Sequence, residues 1–270
     1  MKIHAVGGYG LVGRNMTVYE MEKSAVAIDI GLHLDNYIAY QEVEPEKEFI
    51  EGAVLEKIGA VPNLEPIRGI VGKVKAIVIT HGHLDHIGGV QFLERNFKAP
   101  IICTPFTAAI LRTLAKDTKT RIRNKIVEVK QGEKHKLNDE VTLEFIAAAH
   151  SIPETSIIAL HTKEGVYLHA TDFKFDDHPG VGAKTDVRRL SQLNGKVKAV
   201  VLDTLNADSE TKTPSENVAK EMLRDVMLHK ELSDKGIIVS TFSSHIARLR
   251  TIYSVAYKMK RKIVFIGRSL

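Results

Sequence analysis

The chain has 270 residues, 44% of them hydrophobic, enough for one large core or for one domain and part of a second. Its 38 Lys and Arg against 33 Asp and Glu leave a net charge of +5, which permits a polyanionic partner, while the lack of tryptophan and 6% aromatic content argue against recognition by base stacking. A single cysteine excludes an internal disulfide, and no run of about 18 apolar residues is present to span a membrane.

Taken in order, the chain opens on strand-like residues 1–6 rather than a signal peptide, so a cytoplasmic protein is expected. Residues 2–6, 16–21 and 24–30 read as strands. Between the first two, Gly8-Tyr9-Gly10-Leu11-Val12-Gly13 matches the dinucleotide fingerprint, with Asp29 or Asp35 near the ribose-binding position. That fingerprint needs a helix straight after the glycines. Residues 15–21 instead alternate with β-type side chains, so two strands joined by a glycine turn are predicted and no nucleotide cofactor. Residues 41–57 read as a polar, acidic loop with a short helix. A buried strand covers 75–79, a helix 88–97, and a strand opens at Pro100 with Cys103 as a buried thiol. Pro105 starts a helix to about residue 116. Strands follow at 127–129, 141–149, 156–160 and 165–170.

From about residue 196 the pattern becomes strand–helix alternation, with a strand at 198–203, a helix from Thr213 to about 232, a strand at 236–240, a helix from Ser244 to about 260 and a strand at 262–266. Thr213-Pro214-Ser215-Glu216 has capping-box spacing with Pro at the first helical position. Such alternation indicates a parallel three-layer sheet. A boundary near 205 gives one domain over 1–205 and part of another over 206–270. Since the chain stops just after a strand, it reads as a portion of a longer protein.

The densest chemistry is Thr80-His81-Gly82-His83-Leu84-Asp85-His86. It follows the buried strand at 75–79, so its side chains can converge at a strand-to-helix turn. His81 and His83, two apart, can face one side of extended backbone, and Asp85 and His86 another, an arrangement suited to two adjacent metals. Imidazole and carboxylate without thiolate suit zinc, with manganese as the harder alternative. Further ligands are available at strand ends: His150 closes 145–150, Asp172 closes 166–172 and can bridge two cations, and Asp29 closes 25–29. His4, His33, His135, His161, His169, His178 and His229 lack such a partner pattern and read as structural.

These residues resemble the metallo-β-lactamase superfamily, whose H-x-H-x-D-H signature stands here at His81, His83, Asp85 and His86, with Asp29, His150 and Asp172 at its other motif positions. The resemblance spans 1 to about 205 and implies an α/β fold, the αββα sandwich. In the second part, Asp203-Thr204-Leu205-Asn206-Ala207 and 213–216 resemble the acidic opening of the inserted β-CASP domain, and 241–248 and 267–269 resemble two of its loops. Within β-CASP nucleases the chain resembles the ribonuclease J branch, archaeal forms included, more than the polyadenylation-factor branch. The family pattern continues beyond what is present here and returns one more metal-binding histidine.

The resemblance implies two zinc ions, one held by His81, His83 and His150, the other by Asp85 and His86, with Asp172 bridging. It implies a metal-dependent 5′→3′ exoribonuclease, with possible endonuclease activity, that hydrolyses RNA by attack of activated water on phosphorus and leaves a 5′-phosphate. Asp85, Asp172 and His86 are the expected catalytic groups. Asp29 and Asp203 are expected to support the ligands. Ser243, Ser244, His245, Arg268 and Ser269, at strand ends and before a helix N-terminus, are expected to hold RNA phosphate, with helix capping by Ser243 or Ser244 as the alternative. A homodimer or larger assembly is expected through regions beyond residue 270. A small-molecule metallo-hydrolase and a non-catalytic RNA-binding scaffold are the alternative functions.

Overall fold

The structure is a computed structural model and describes residues 1–44, 50–228, 232 and 235–267. Two sheets face each other. The first has the order β1 (Lys2–Gly7), β2 (Met16–Glu20), β3 (Ala25–Ile28), β4 (Val74–Val78), β5 (Ile101–Cys103), β6 (Ile126–Glu128). Its first three strands are antiparallel, and β3 to β6 run parallel. The second has the order β11 (Val197–Leu202), β10 (Gly165–Ala170), β9 (Ser156–Thr162), β8 (Thr142–Ala147), β7 (Lys134–Lys136), with only β10 and β11 parallel.

Alternation along the strands decides what each face meets. Ala76 and Val78 point between the sheets with Tyr19, Val26, Ile28, Ile102, Phe145 and Ile158. Ile77 and Ile79 point outward, into a layer closed by the helical segments. The outer face of the second sheet packs Ile146, Ile157 and Leu168 with Leu190 and Leu193 at α6 (Val187–Gln192). Two sheets between two helical layers are the αββα sandwich expected above. Each fully buried Ile, Leu or Phe contributes about 1.5–3 kcal/mol. Cys103 is buried in the same core, and burial pushes its thiol up to about 12.

The glycine-rich segment is a turn. β1 and β2 form an antiparallel hairpin, and Gly8, Gly10 and Gly13 all have positive φ. Helix α5 (Pro105–Asp117) carries Pro at its start, as predicted.

Other elements differ from expectation. The helix expected over 88–97 is a series of short turns: α3 (Leu84–Ile87), α4 (Val90–Leu93) and a 3-10 turn at Glu94–Asn96. Gly88 and Gly89 interrupt it because the chain passes Gly31 closely: a Cβ on Gly89 would lie 2.6 Å from Gly31 O. Helix α1 (Leu34–Val43) gave no sequence signal, because it buries no residue and its N-cap is His33, whose ring accepts from Asn36 N. Helix α2 (Gly52–Lys57), the 3-10 segment Glu65–Lys73, β7 and α6 complete the sandwich.

In the last part, α7 (Glu216–Met227) begins later than predicted. Ser215 is the N-cap, its hydroxyl accepting from Asn217 N, so Pro214 precedes the cap instead of opening the helix. Helix α8 (Ile246–Lys258) is capped by His245, not by Ser243 or Ser244. The strands expected at 236–240 and 262–266 are irregular. Neither segment has a ladder partner among the described residues, and Ile238 and Ile266 are almost fully exposed; an unpaired strand satisfies neither its backbone nor its apolar face.

Candidate metal centre

The centre forms where parallel strands end. β3 and β4 pair with Ile28 opposite Val78, which places Asp29 beside Thr80 at the start of the histidine segment. Asp29 is fully buried with φ +61°, a left-handed backbone that Asp tolerates better than most residues. Its Oδ1 accepts from Thr80 N (2.8 Å). Its Oδ2 accepts from Thr80 Oγ1 (2.8 Å) and faces His86 Nδ1 (2.7 Å). That leaves His86 Nε2 turned inward. The segment is held further by Ile30 N donating to His86 O (2.9 Å) and Asn15 N donating to Asp85 O (3.0 Å).

Two ligand sets result, sharing one carboxylate. His81 Nε2, His83 Nδ1, His150 Nε2 and Asp172 form the first, and Asp85, His86 and Asp172 the second, with the ligand atoms in each within 4.8 Å of one another. In the first set, His83 Nδ1 lies 3.0 Å from His81 Nε2 and 3.1 Å from His150 Nε2. Asp172 Oδ2 lies 3.3 Å from His150 Nε2 and 3.6 Å from His81 Nε2. In the second, His86 Nε2 lies 3.3 Å from Asp85 Oδ2 and 3.6 Å from Asp172 Oδ1. Metal–ligand bonds of about 2.0–2.1 Å in a tetrahedron give ligand–ligand edges of about 3.3 Å. The observed separations bracket that edge, so the residues present fit divalent ions. Asp172 offers one oxygen to each set.

At His81, His83, Asp85 and Asp172 the electrostatics agree with ligand duty; at His86 they oppose it until an ion displaces the ring proton. Burial and the neighbouring His86 push His81 down to about 4. Burial and His81 push His83 down to about 3, so both rings are neutral and hold lone pairs at neutral pH. Burial also opposes charge on His86, but Asp29 and the bonds to Asp172, Asp29 and Asp85 carry it well above the ordinary histidine value. Burial raises Asp172 less than the three facing imidazoles lower it, so it stays ionised well below the usual carboxylate range. Asp85 is lowered likewise, its burial outweighed by His86.

Sequence reasoning missed three neighbours. Asn15, at the end of the glycine-rich turn and directly before β2, reaches Asp85 Oδ2 (3.2 Å) and His86 Nε2 (3.1 Å). Thr80 ties Asp29 to the segment. Ser151 Oγ meets His83 Nε2 at 3.3 Å, on the ring edge opposite the ligand atom. Polar side chains flanking a ligand motif are the signal that could have found Thr80 and Ser151; Asn15 is remote in sequence and only the fold brings it in.

The remaining candidates lie elsewhere. Asp203 sits exposed at the end of β11, and its carboxylate accepts from Leu205 N (2.8 Å), so it caps a local turn instead of joining Asp29. Ser243 is half-buried and Ser244 exposed; with no strand at 236–240 they do not mark a strand end. His245 Nδ1 accepts from Arg248 N (3.1 Å), and the neighbouring Ala247 N donates to Ser151 O (3.1 Å), seating α8 against the loop after His150. Arg268 and Ser269 lie outside the described residues.

The model of the beta-lactamase superfamily domain matches residues 53–224, which include the whole of both ligand sets. The chain belongs to the β-lactamase superfamily. A second model, the beta-CASP domain of ribonuclease J, matches residues 234–270 of this superfamily member. Ribonuclease J of Pyrococcus abyssi is 40% identical to it and that of Methanocaldococcus jannaschii 39% identical, each alignment covering 100% of this chain and 60% of the relative. The chain thus spans about 60% of the length of these relatives. A solved protein of unknown function from Enterococcus faecalis aligns over 94% of this chain and 62% of its own with a TM-score of 0.64 at 12% identity, a likeness of fold alone. No helix among the described residues is long and apolar enough to cross a membrane.

Proposed function

We propose that this β-lactamase superfamily chain is the metal-binding part of a ribonuclease J-like enzyme that hydrolyses RNA phosphodiesters, as a 5′→3′ exonuclease and with possible endonuclease action, leaving 5′-phosphates. The observation that carries this is Asp172 lying between two ligand sets with one oxygen toward each. Paired cations suit phosphodiester hydrolysis, since two sites can clamp the attacking and leaving oxygens. Two zinc ions are proposed, His81, His83 and His150 holding one and Asp85 and His86 the other, with manganese as the alternative. When bound, such ions lower the pKa of water and neutralise charge on a phosphate.

This chain's own residues do the rest. Asp172 keeps the two sets in register. Asp85, more exposed than Asp172 beside His86, orients the attacking water and relays its proton toward the 3′-oxygen that leaves as the P–O3′ bond breaks. Asn15 fixes that carboxylate through Oδ2. Asp29 holds His86 with Nε2 inward and thereby keeps it a ligand. Two domains are proposed, 1–205 and 206–270, the second seated on the first where Asp176 accepts from Ser215 Oγ (2.6 Å) and Glu216 N (2.7 Å). RNA is the proposed substrate.

The test uses a full-length protein carrying this chain, with 5′-monophosphorylated RNA and added zinc or manganese. Release of nucleotides with 5′-phosphates, lost in His83→Ala, is expected. Intact RNA under both metals overturns the reading. Turnover of a lactone or thioester without RNA cleavage would move it to small-molecule hydrolysis, and RNA binding with bound metal but no cleavage to a scaffold.

A further inference from the structure

Away from the metal centre, the segment joining α5 to β6 is built on a buried carboxylate. Glu94 is fully buried, and its oxygens accept from the backbone N–H groups of Arg123 (3.1 Å) and Asn124 (3.0 Å). The Asn124 amide donates to the carbonyls of Glu94 and Phe97, both at 2.8 Å. The hydroxyls of Thr118 and Thr120 donate to Gln91 Oε1. Backbone and side chain are therefore pinned at both ends of the segment.

What this pinned segment presents is positive charge. Between residues 112 and 128 six Lys and Arg stand against two acids, Asp117 and Glu128. Glu128 is occupied by Arg112 (2.7 Å). Lys116, Arg121, Arg123 and Lys125 are exposed, as is Lys98 beside them, and none of these five forms an ion pair among the described residues. Glu94 gives them little relief: it is spent on backbone, and of the cationic side chains it reaches Arg95 Nε, at 3.8 Å. A groove of about 490 Å³ runs beside the segment, bordered by Arg112, Lys116, Arg121 and Asn124. Holding like charges together on a rigid frame costs self-repulsion, which a bound polyanion would cancel.

The place of this face fits the metal centre. Helix α5 starts where β5 ends, on the side of the histidines, with Ile110 against Gly82. From Ile110 it runs seven more residues, about 10 Å, to Asp117 at the basic segment. We propose that this face is a second, sequence-independent contact for the RNA backbone, reached by a strand that continues past the cleaved bond; this rests on the ribonuclease reading above. An acidic protein is the poorer occupant. The segment offers no aromatic side chain, and Ile122 and Ile126 are half-buried, so the anchors that hold protein partners are missing. Phosphates need only spaced cations.

The experiment compares the parent with the triple variant Lys116→Gln, Arg121→Gln, Arg123→Gln and with a control, Arg188→Gln, Lys196→Gln, Lys198→Gln, exposed cations on α6 and at β11. Binding of a long single-stranded RNA is measured over a salt series, with metal content and thermal melting as folding checks. Three lost phosphate contacts reduce the slope of log K against log salt by roughly 2. The expected result is that loss in the triple variant and no change in the control. An unchanged slope in a folded triple variant overturns the proposal and leaves the ribonuclease reading standing. Equal losses in both variants overturn it too, because charge anywhere would then suffice. Unchanged RNA binding together with lost binding of polyglutamate assigns the face to an acidic protein instead. A parent that binds no RNA overturns both readings.

Discussion

Replacing Asp29 separates the fold from the metal centre. The Asp29→Ala variant puts Ala at φ +61°, which costs about 1–2 kcal/mol relative to a residue that accepts left-handed backbone. It also orphans the buried Thr80 N–H, for roughly 1–3 kcal/mol. The metal-free chain is therefore expected to lose about 2–5 kcal/mol in urea unfolding. Asp29→Asn keeps the backbone preference and an oxygen for Thr80 N, so it is expected to lose only about 1–2 kcal/mol, the difference between charged and neutral acceptors. Yet Asn no longer holds His86 by charge. Ion affinity at the Asp85, His86 and Asp172 set is expected to fall roughly 10- to 100-fold, about 1.4–2.8 kcal/mol, while the His81, His83 and His150 set keeps its affinity. Titration with a divalent ion, read by competition with a chromophoric chelator, checks both. Parent-like affinity at both sets in Asp29→Asn would refute the reasoning that His86 is oriented by that carboxylate.

Gly31→Ala should be far worse than Gly10→Ala: its Cβ would lie 1.6 Å from Asp85 O, backbone that cannot yield, whereas the Gly10 position is open and costs only its positive φ. Losses above about 4 kcal/mol against about 1–2 kcal/mol are expected in urea unfolding. The metal-free chain should also be acid-sensitive with a defined sign. His81 and His83 are held below their unfolded value of 6.5, so the stability they allow is present above pH 6.5 and is lost as pH falls toward 4 and 3; His86, raised, contributes fully below pH 6.5 and loses its contribution as pH rises through its folded value. The urea midpoint in chelator, followed against pH, checks this, and a midpoint flat between pH 6.5 and 4 contradicts it. Asp176→Ala removes the acceptor of Ser215 Oγ and Glu216 N, so limited proteolysis should cut residues 206–267 faster while metal content stays at the parent level.

The histidine segment was legible in the sequence because its chemistry is local: a buried strand followed by four ligand-type residues within six positions. His150, Asp172 and Asp29 were legible as polar ends of apolar strands, since a strand that stops at the core's edge delivers its next residue to the same rim. The hairpin could be told from a nucleotide fold because β-type residues, not helix formers, followed Gly13. Asn15 was not legible, because what it touches is fixed by strand order and not by neighbours in the chain. Helix α1 escaped for a different reason, lacking both an apolar stripe and a usual cap. At the other end, Ile237–Ser240 and Lys262–Ile266 carry the composition of strands without the pairing, and composition alone does not make a ladder. Asp203 shows the same limit at one residue: an acid at a strand end is a turn cap unless the next strand faces it.

Hydrolysis at this centre needs two ions to meet these side chains, and counting the ions tests that most directly. The metal-free chain is dialysed against zinc or manganese, and bound metal is measured by atomic emission in the parent, in His83→Ala and in His86→Ala. Two ions per chain in the parent and about one in each variant is the predicted result. A parent that retains no metal, or variants that retain as much as the parent, would contradict it.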